Sequence, residues 1–318
     1  MNNPDFLIIG AAKSGTTSLY YYLSQHPEIY MSSRKEPAYF AFANQKVDFQ
    51  GPGDYRLNTK VVTDGEAYRQ LFQAAEPTQK TGEASVVYLY HPHAAQRIYT
   101  HSPQTKLIAI LRNPAERAVS NYQFLCTTGY EPCPTMAEAL EQEQNRIAAN
   151  WQYIWHYTSL GYYTAQLQRY YDYFPTEQLL IIKHEDLRDA PDEVLPQVLK
   201  FLEVDDKFKV DTDHQYNRSG KVRSRRLHQM FVEPKWFKNI YRASLPNPLR
   251  RTIRRQVMDW NITTQRQPVA SETIAQLYNI YHDEVISLQD MLGIDLSNWL
   301  KAPADDIVSR KTDSAQVK

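Results

Sequence analysis

Three short apolar runs stand out along the chain: FLII over 6–9, LIAIL over 107–111 and LLII over 179–182. Each is bounded by turn or polar residues and shows no polar alternation, the pattern of strands buried on both faces of a parallel sheet. Elsewhere apolar residues recur at helical spacing. Leu160, Tyr163, Leu167, Tyr170, Tyr171 and Phe174 form one stripe, and Ile274, Leu277, Tyr278, Tyr281, Val285, Leu288 and Met291 form a second. Buried strands alternating with amphipathic helices predict an α/β fold with helices on both faces of the sheet. The stretch 41–64 has Gly, Pro, Asn and Asp but no period, and reads as a long surface excursion beside a site or as a plain insertion. The polar end from about 302 reads as a flexible tail.

The first apolar run leads directly into Gly10, Ala11, Ala12, Lys13, Ser14, Gly15, Thr16 and Thr17, followed by a helical segment over 18–25. A strand, a small-residue turn and a helix N-terminus make an anion cradle from backbone N–H groups and the helix dipole. Against the triphosphate-binding pattern GxxxxGK[ST], Gly10, Gly15 and Thr17 fit, but Thr16 stands where the lysine belongs and Lys13 lies three residues earlier. That shift suits an anion shorter than a triphosphate. The bland alternative is a glycine-bounded turn with an incidental lysine.

The second run ends in Leu111, Arg112, Asn113 and Pro114. Asn113 is a good N-cap and Pro114 a good first helical residue, so a helix begins just after Arg112 with Ala115, Ala118, Val119 and Tyr122 facing the core. Asn113, Glu116 or Arg117, and Ser120 fall on a neighbouring face. Arg112 therefore leaves the carboxyl edge of the sheet, where open α/β folds bind ligands, and with Ser120 can hold a second phosphate. Alternatively, Arg112 forms a salt bridge to a neighbouring loop and Ser120 is neutral.

Together these motifs resemble the sulfotransferases that use 3′-phosphoadenosine 5′-phosphosulfate (PAPS). KSGTT over 13–17 is similar to their 5′-phosphosulfate loop, and RNPAERAVSNY over 112–122 to their 3′-phosphate segment. HPEI (26–29), KEPAYF (35–40), GEAS (82–85), the segment 161–187 and NRSGKVRSR (217–225) extend the resemblance over roughly 5–230, nearest to bacterial members and the heparan sulfate branch.

The resemblance implies a P-loop-like three-layer α/β fold, with a central parallel β-sheet flanked by helices. It implies one sulfotransferase domain over 1–301, basic and helical from about 218, before the 302–318 tail. It places the donor on Lys13, Ser14, Gly15, Thr16, Thr17, Ser18, Arg112 and Ser120, with Ser219, Gly220, Lys221 and Arg223 in a loop closing over the nucleotide. Lys13 then stabilises the leaving phosphate of the product PAP, with no metal, and Glu36 in SRKEPAYF is the general base for a hydroxyl or amine acceptor, a carbohydrate or other small metabolite.

Each role has a plainer alternative. Glu36 can pair with Arg34 or Lys35, and 219–223 can be a solvated basic helix start. His91 or His93 can substitute as base, or be helix-start histidines. One departure from the heparan-type pattern is Ala84, where a lysine is frequent; Glu83 and Ser85 remain to line the cleft. WQYIWHY over 151–157 is either an acceptor wall or core packing.

Two rival functions remain. A small-molecule kinase using ATP and Mg²⁺ would read LLIIKHED over 179–186 as a strand leading to a metal-holding Asp186. A catalytically inactive nucleotide- or polyanion-binding module would keep the cradle alone.

Composition narrows the classes further. With 42% hydrophobic and 23% charged side chains in 318 residues, the chain is too apolar to be disordered. Cys126 and Cys133 are too few for a disulfide scaffold and read as reduced thiols, their pairing left open. No run is long enough for a signal or membrane span, which predicts a soluble, cytoplasmic protein. Lys plus Arg and Asp plus Glu each total 36, so the net charge is zero, against a nucleic-acid-coating protein. Yet 218–255 carries twelve Lys/Arg and one Glu, a net +11 that the rest of the chain balances. The rear of that block, PLRRTIRR over 248–255, either touches an anionic acceptor or membrane surface or is a solvated helix face.

Overall fold

The computed structural model describes residues 3–212, 221–222, 262–263 and 267–302. Five strands, β1 (Phe6–Gly10), β2 (Ile29–Met31), β3 (Lys80–Ala84), β4 (Lys106–Leu111) and β5 (Leu179–Lys183), form a sheet in the order β2-β3-β1-β4-β5, with every pairing parallel. The three apolar runs are β1, β4 and β5. The other two strands, IYM and KTGEA, are short and mixed in polarity, so neither shows as an apolar run.

Alternation along the strands splits the core into two layers. Leu7, Ile9, Leu107, Ala109 and Leu111 meet helices Pro114–Thr127 and Tyr163–Tyr171 through Ala115, Ala118, Tyr122, Tyr163, Leu167 and Tyr170. Phe6, Ile8, Ile108, Ile110 and Ile182 meet helices Thr16–Leu23 and Pro191–Leu202 through Leu19, Leu23, Val194, Leu195, Val198 and Leu199. Each fully buried aliphatic side chain contributes about 1.5–3 kcal/mol, so the sheet is held from both sides.

Several helix boundaries and faces differ from expectation. The first helix starts two residues early, at Thr16, and ends at Leu23. The stripe over 274–291 belongs to two helices, Ser271–Ile280 and His282–Leu292, which break at buried Tyr281, whose hydroxyl donates to Thr158 O at 2.7 Å. Arg117, one of two residues offered for the face beside the core stripe, is fully buried. Segment 153–161 covers that side of the helix, and Arg117 donates to Tyr157 O while Asn121 Nδ2 donates to Ile154 O at 2.7 Å. The 41–64 stretch is not a plain excursion either: Asp54 within it is fully buried.

β1 connects towards β2 on one flank and β4 towards β5 on the other. The crevice beyond the carboxyl ends of β1 and β4 is thus the topological switch point of the sheet.

Phe6 on β1 pairs in register with Gly82 on β3, and a side chain at Gly82 would overlap the Phe6 ring. Gly82→Ala is therefore expected to destabilise the protein by about 1–3 kcal/mol in urea unfolding, with part of the loss recovered by adding Phe6→Leu. A neutral Gly82→Ala would contradict this packing.

Candidate active site

The loop from β1 reaches helix Thr16–Leu23 in five residues, which forces two left-handed positions: Lys13 at φ 67° and Gly15 at φ 94°. A Cβ at Gly15 would lie 3.1 Å from His184 Nδ1, so both the conformation and the space call for glycine. The loop is tied down from two sides: Ala11 N donates to Ile110 O at 2.7 Å, and His184 Nδ1 donates to Ser14 O at 3.0 Å. Burial, then nearby Arg112, lowers the His184 pKa to about 4, which leaves a neutral ring as the donor. No side chain caps the helix that begins at Thr16, so its first N–H groups face the crevice uncapped. Thr17 and Ser18 are half-buried there, whereas Ser14 is fully buried with its hydroxyl beside the Tyr163 phenol.

Three cations meet at this edge. Burial first, then Arg112 and Lys35, push the Lys13 pKa down to about 8. Its Nζ rests 4.0 Å from the ring centroid of Phe124, a contact the sequence did not signal. Asn113 caps helix Pro114–Thr127 as expected, accepting from Ala115 N and Glu116 N at 3.0 and 3.2 Å. Arg112 pairs within its own turn to Glu116, Nη2 to Oε2 at 2.8 Å, and its carbonyl accepts from Tyr163 at 3.0 Å. Ser120 lies one turn beyond Glu116 on the same helix, half-buried.

Glu36 stands beside them, also in a left-handed conformation at φ 59°. Oε1 pairs with Lys35 Nζ at 2.7 Å, the ion pair weighed as its plainer alternative, and Oε2 accepts from Val86 N at 2.9 Å. Its own amide donates to Ala84 O at 2.9 Å, so the residue is stitched to the end of β3 by main chain and side chain alike. Burial and the Glu36 charge raise the pKa of the Tyr153 phenol, which places the 151–157 aromatic segment within electrostatic reach of Glu36.

Glu83 and Ser85 do not line the cleft. Both are fully buried beneath Glu36, and Glu83 accepts from Tyr88 and Tyr68 hydroxyls at 2.5 and 3.3 Å and from Ser85 at 2.9 Å. Desolvation outweighs those hydrogen bonds and lifts its pKa to about 7. His91 is held near pKa 4 by burial and by Arg97, and His93 precedes helix Ala94–His101 at its N-cap position. Asp186 pairs with Lys183 at 3.6 Å.

Strand Lys221–Val222 pairs antiparallel with Ile262–Thr263 and runs beside helix Pro114–Thr127. Ser219, Gly220 and Arg223, the rest of the basic block over 223–255, and the tail over 303–318 lie outside the described residues. Among the described residues no helix is long and apolar enough to cross a membrane, and no group of three or more His, Cys, Asp or Glu is placed to hold a metal ion.

A family model described as a sulfotransferase domain matches residues 3–238. The human bifunctional heparan sulfate N-deacetylase/N-sulfotransferase 2 is 30% identical over 215 residues, covering 63% of this chain and 22% of that protein. The membrane-associated sulfotransferase kil1 of Dictyostelium discoideum is 36% identical over 124 residues, covering 38% of this chain and 23% of that protein. This chain thus spans about a fifth of the length of these relatives. Among solved structures, a sulfotransferase from Alicyclobacillus acidocaldarius superposes with a TM-score of 0.73 at 30% identity, covering 95% of this chain and all of that one.

The Glu83 shift has a consequence for stability. Because the folded state holds the proton up to about pH 7 while an unfolded glutamate releases it near 4.5, folded molecules bind more protons in that window. Stability is therefore expected to fall by up to about 3 kcal/mol as pH rises from 4.5 through 7. Denaturant unfolding at pH 5 and 7.5 measures the difference, and Glu83→Gln should shrink it; an unchanged slope in that variant would assign the effect elsewhere.

Proposed function

The chain belongs to the sulfotransferase family, and from that membership we propose that it transfers the sulfuryl group of PAPS to a hydroxyl or amine, with a carbohydrate as the acceptor class. The observation that carries the reading is the convergence of Lys13, Lys35 and Arg112 on an uncapped helix N-terminus, with the Glu36 carboxylate anchored alongside. A cationic edge of this kind, with Lys13 already losing its proton more easily, is matched to a multiply charged anion.

In this reading Lys13, the amides of Gly15, Thr16 and Thr17, and the Thr16, Thr17 and Ser18 hydroxyls hold the 5′-phosphosulfate. Arg112 and Ser120 hold the 3′-phosphate. PAPS supplies an activated sulfuryl group on a phosphate leaving group. Glu36 takes the proton from the acceptor O–H or N–H as the new S–O or S–N bond forms. Lys13 and the helix N-terminus stabilise charge gathering on the bridging oxygen as its bond to sulfur breaks. The carbohydrate assignment is supported by the heparan sulfate enzymes among the relatives and by the half-buried Tyr153 within electrostatic reach of Glu36.

Transfer of label from PAPS to a panel of sugar, lipid and phenolic acceptors in the presence of EDTA tests the reaction. Mg²⁺-dependent ATP consumption without PAPS turnover would instead establish the kinase reading. Glu36→Gln should lower turnover at least tenfold, by roughly the contribution of a general base, while PAP affinity stays within about twofold. Full activity in that variant rejects the base assignment.

Bound phosphate should return Lys13 towards its ordinary pKa of 10.5, so PAP binding takes up a proton between about pH 8 and 10.5. Affinity is expected to fall as pH rises above 8, by at most about tenfold per pH unit for one proton. Calorimetry at pH 9 in buffers of different ionisation heat should detect the uptake, and Lys13→Met should abolish it; uptake that persists would place the titrating group elsewhere.

A further inference from the structure

Glu83 is a fully buried carboxylate within electrostatic reach of Glu36, and the arrangement around it is directional. Ala38 N donates to Ser85 Oγ at 2.9 Å, and Ser85 passes its own hydrogen to Glu83 Oε2 at 2.9 Å. Phe40 N donates to Tyr88 Oη at 3.3 Å, and Tyr88 passes its hydrogen to Glu83 Oε1 at 2.5 Å. Tyr68 adds a third hydroxyl at 3.3 Å and stacks on Tyr39, ring centroids 4.4 Å apart. Two backbone amides of the 38–40 segment thus reach one carboxylate through one hydroxyl each. That segment begins two residues after Glu36, and both Glu36 and Ala38 hold left-handed conformations, at φ 59° and 56°, that no glycine eases.

We propose that Glu83, acting through Ser85 and Tyr88, is a positioning residue that holds the Glu36 segment in its strained conformation and so aims the Glu36 carboxylate at the acceptor. The inference rests on Glu36 being the base, as proposed above. The relay needs both oxygens of Glu83 to accept. A carboxylate does this; an amide presents one donor side, and whichever way it turns, one of the two hydroxyls loses its acceptor, while a proton on either carboxyl oxygen competes for the same position. Glu83→Gln therefore breaks one relay in either orientation while changing almost no volume.

The relay is also sensitive to pH. The titratable groups facing Glu83 are Tyr68, Tyr88, Tyr20 from helix Thr16–Leu23, Tyr170 from helix Tyr163–Tyr171, and Glu36. The four phenols are neutral through the physiological range, and their hydroxyls do not change charge there. Protonation of Glu83 as pH falls through about 7 then acts like the Gln substitution.

The test compares Glu36→Gln, Glu83→Gln, Ser85→Ala and the Glu36→Gln/Glu83→Gln double variant. Each is assayed for turnover of radiolabelled PAPS with N-desulfated heparin and with water alone as acceptor, and for PAP affinity. The expected result is a kcat loss of about tenfold or more in Glu83→Gln and Ser85→Ala, with donor KM and PAP affinity within about twofold. Adding Glu83→Gln to Glu36→Gln should cost little further, because the positioned group is already gone. The kcat–pH profile of Glu83→Gln should also lack the inflection near 7.

If Glu36→Gln is impaired but Glu83→Gln and Ser85→Ala are not, the positioning role is wrong and the base assignment stands. Additive losses in the double variant likewise overturn it, since Glu83 would then act independently of Glu36. If Glu36→Gln alone keeps full activity, the base assignment fails and the positioning role with it. Should Glu83→Gln fail to bind PAP through misfolding, Ser85→Ala, which keeps the carboxylate and removes one relay, decides by the same criteria.

Discussion

Four carboxylates buried away from water fix the loops around this sheet. A parallel sheet covered on both faces leaves its chemistry to the segments leaving the strand ends, and such segments lack the ladder hydrogen bonds that hold a strand. Here Asp54, Glu83, Glu131 and Glu143 supply fixed acceptors in place of a ladder. Asp54 takes Gly51 N, Gln152 N, Gln152 Nε2 and Trp155 Nε1 at 2.6–2.9 Å, which locks the 41–64 stretch to the aromatic segment. Glu143 takes both the amides and the hydroxyls of Thr158 and Ser159 at 2.6–2.8 Å. Glu131 meets Arg146 with both oxygens, at 2.6 and 3.1 Å, and the Arg146 guanidinium lies 5.2–5.6 Å from the rings of Trp151, Trp155 and Tyr157. Leaving any of these groups unpaired would cost far more than the net gain of the bonds themselves, so each network is held as a unit.

This arrangement puts Trp155 and Tyr157 of the WQYIWHY segment in the core, one of the two alternatives the sequence left open. Trp155 and Tyr157 are fully buried and belong to the core, anchored by Asp54 and Glu131. Tyr153, between two anchored neighbours, is the member whose phenol senses Glu36. A short 3-10 helix, Tyr153–Trp155, pinned at both ends holds Tyr153 at a defined place.

Legibility in the sequence followed the range of the interactions. β1, β4 and β5 were visible because double-sided burial writes an uninterrupted apolar run, and the Asn113 cap because its partners lie two and three residues away. The turn from β1 was readable for the same reason. Strand β3 was not: its burial comes from flanking strands, while its own sequence holds a glycine that admits Phe6 and a glutamate that serves the 38–40 segment. Glu83 looked like a cleft residue because nothing local says which hydroxyls will close over it. The burial of Arg117 was not legible because its cover arrives from 40 residues onward. Asp54 finds Gln152 and Trp155 about a hundred residues away, beyond any local pattern.

The cations of the proposed donor site illustrate how such an edge is kept stable before it is used. Lys13, Lys35 and Arg112 repel one another, which is part of why Lys13 gives up its proton near pH 8. Each nevertheless has a modest partner close at hand: the Phe124 ring for Lys13, Glu36 for Lys35 and Glu116 for Arg112. Partly exposed pairs of this kind are worth about 1 kcal/mol or less, enough to orient a side chain and too little to hold it against a phosphate. A ligand with an anionic group at each end can draw Lys13 and Arg112 away together, whereas a single small anion gains from one. Lys35 differs, because its partner Glu36 is itself fixed by Val86 N and Ala84 O. In the proposed reaction the pair Lys35–Glu36 would therefore mark the boundary of the donor site: the cations on one side exchange partners, and the carboxylate on the other stays where its two backbone contacts hold it.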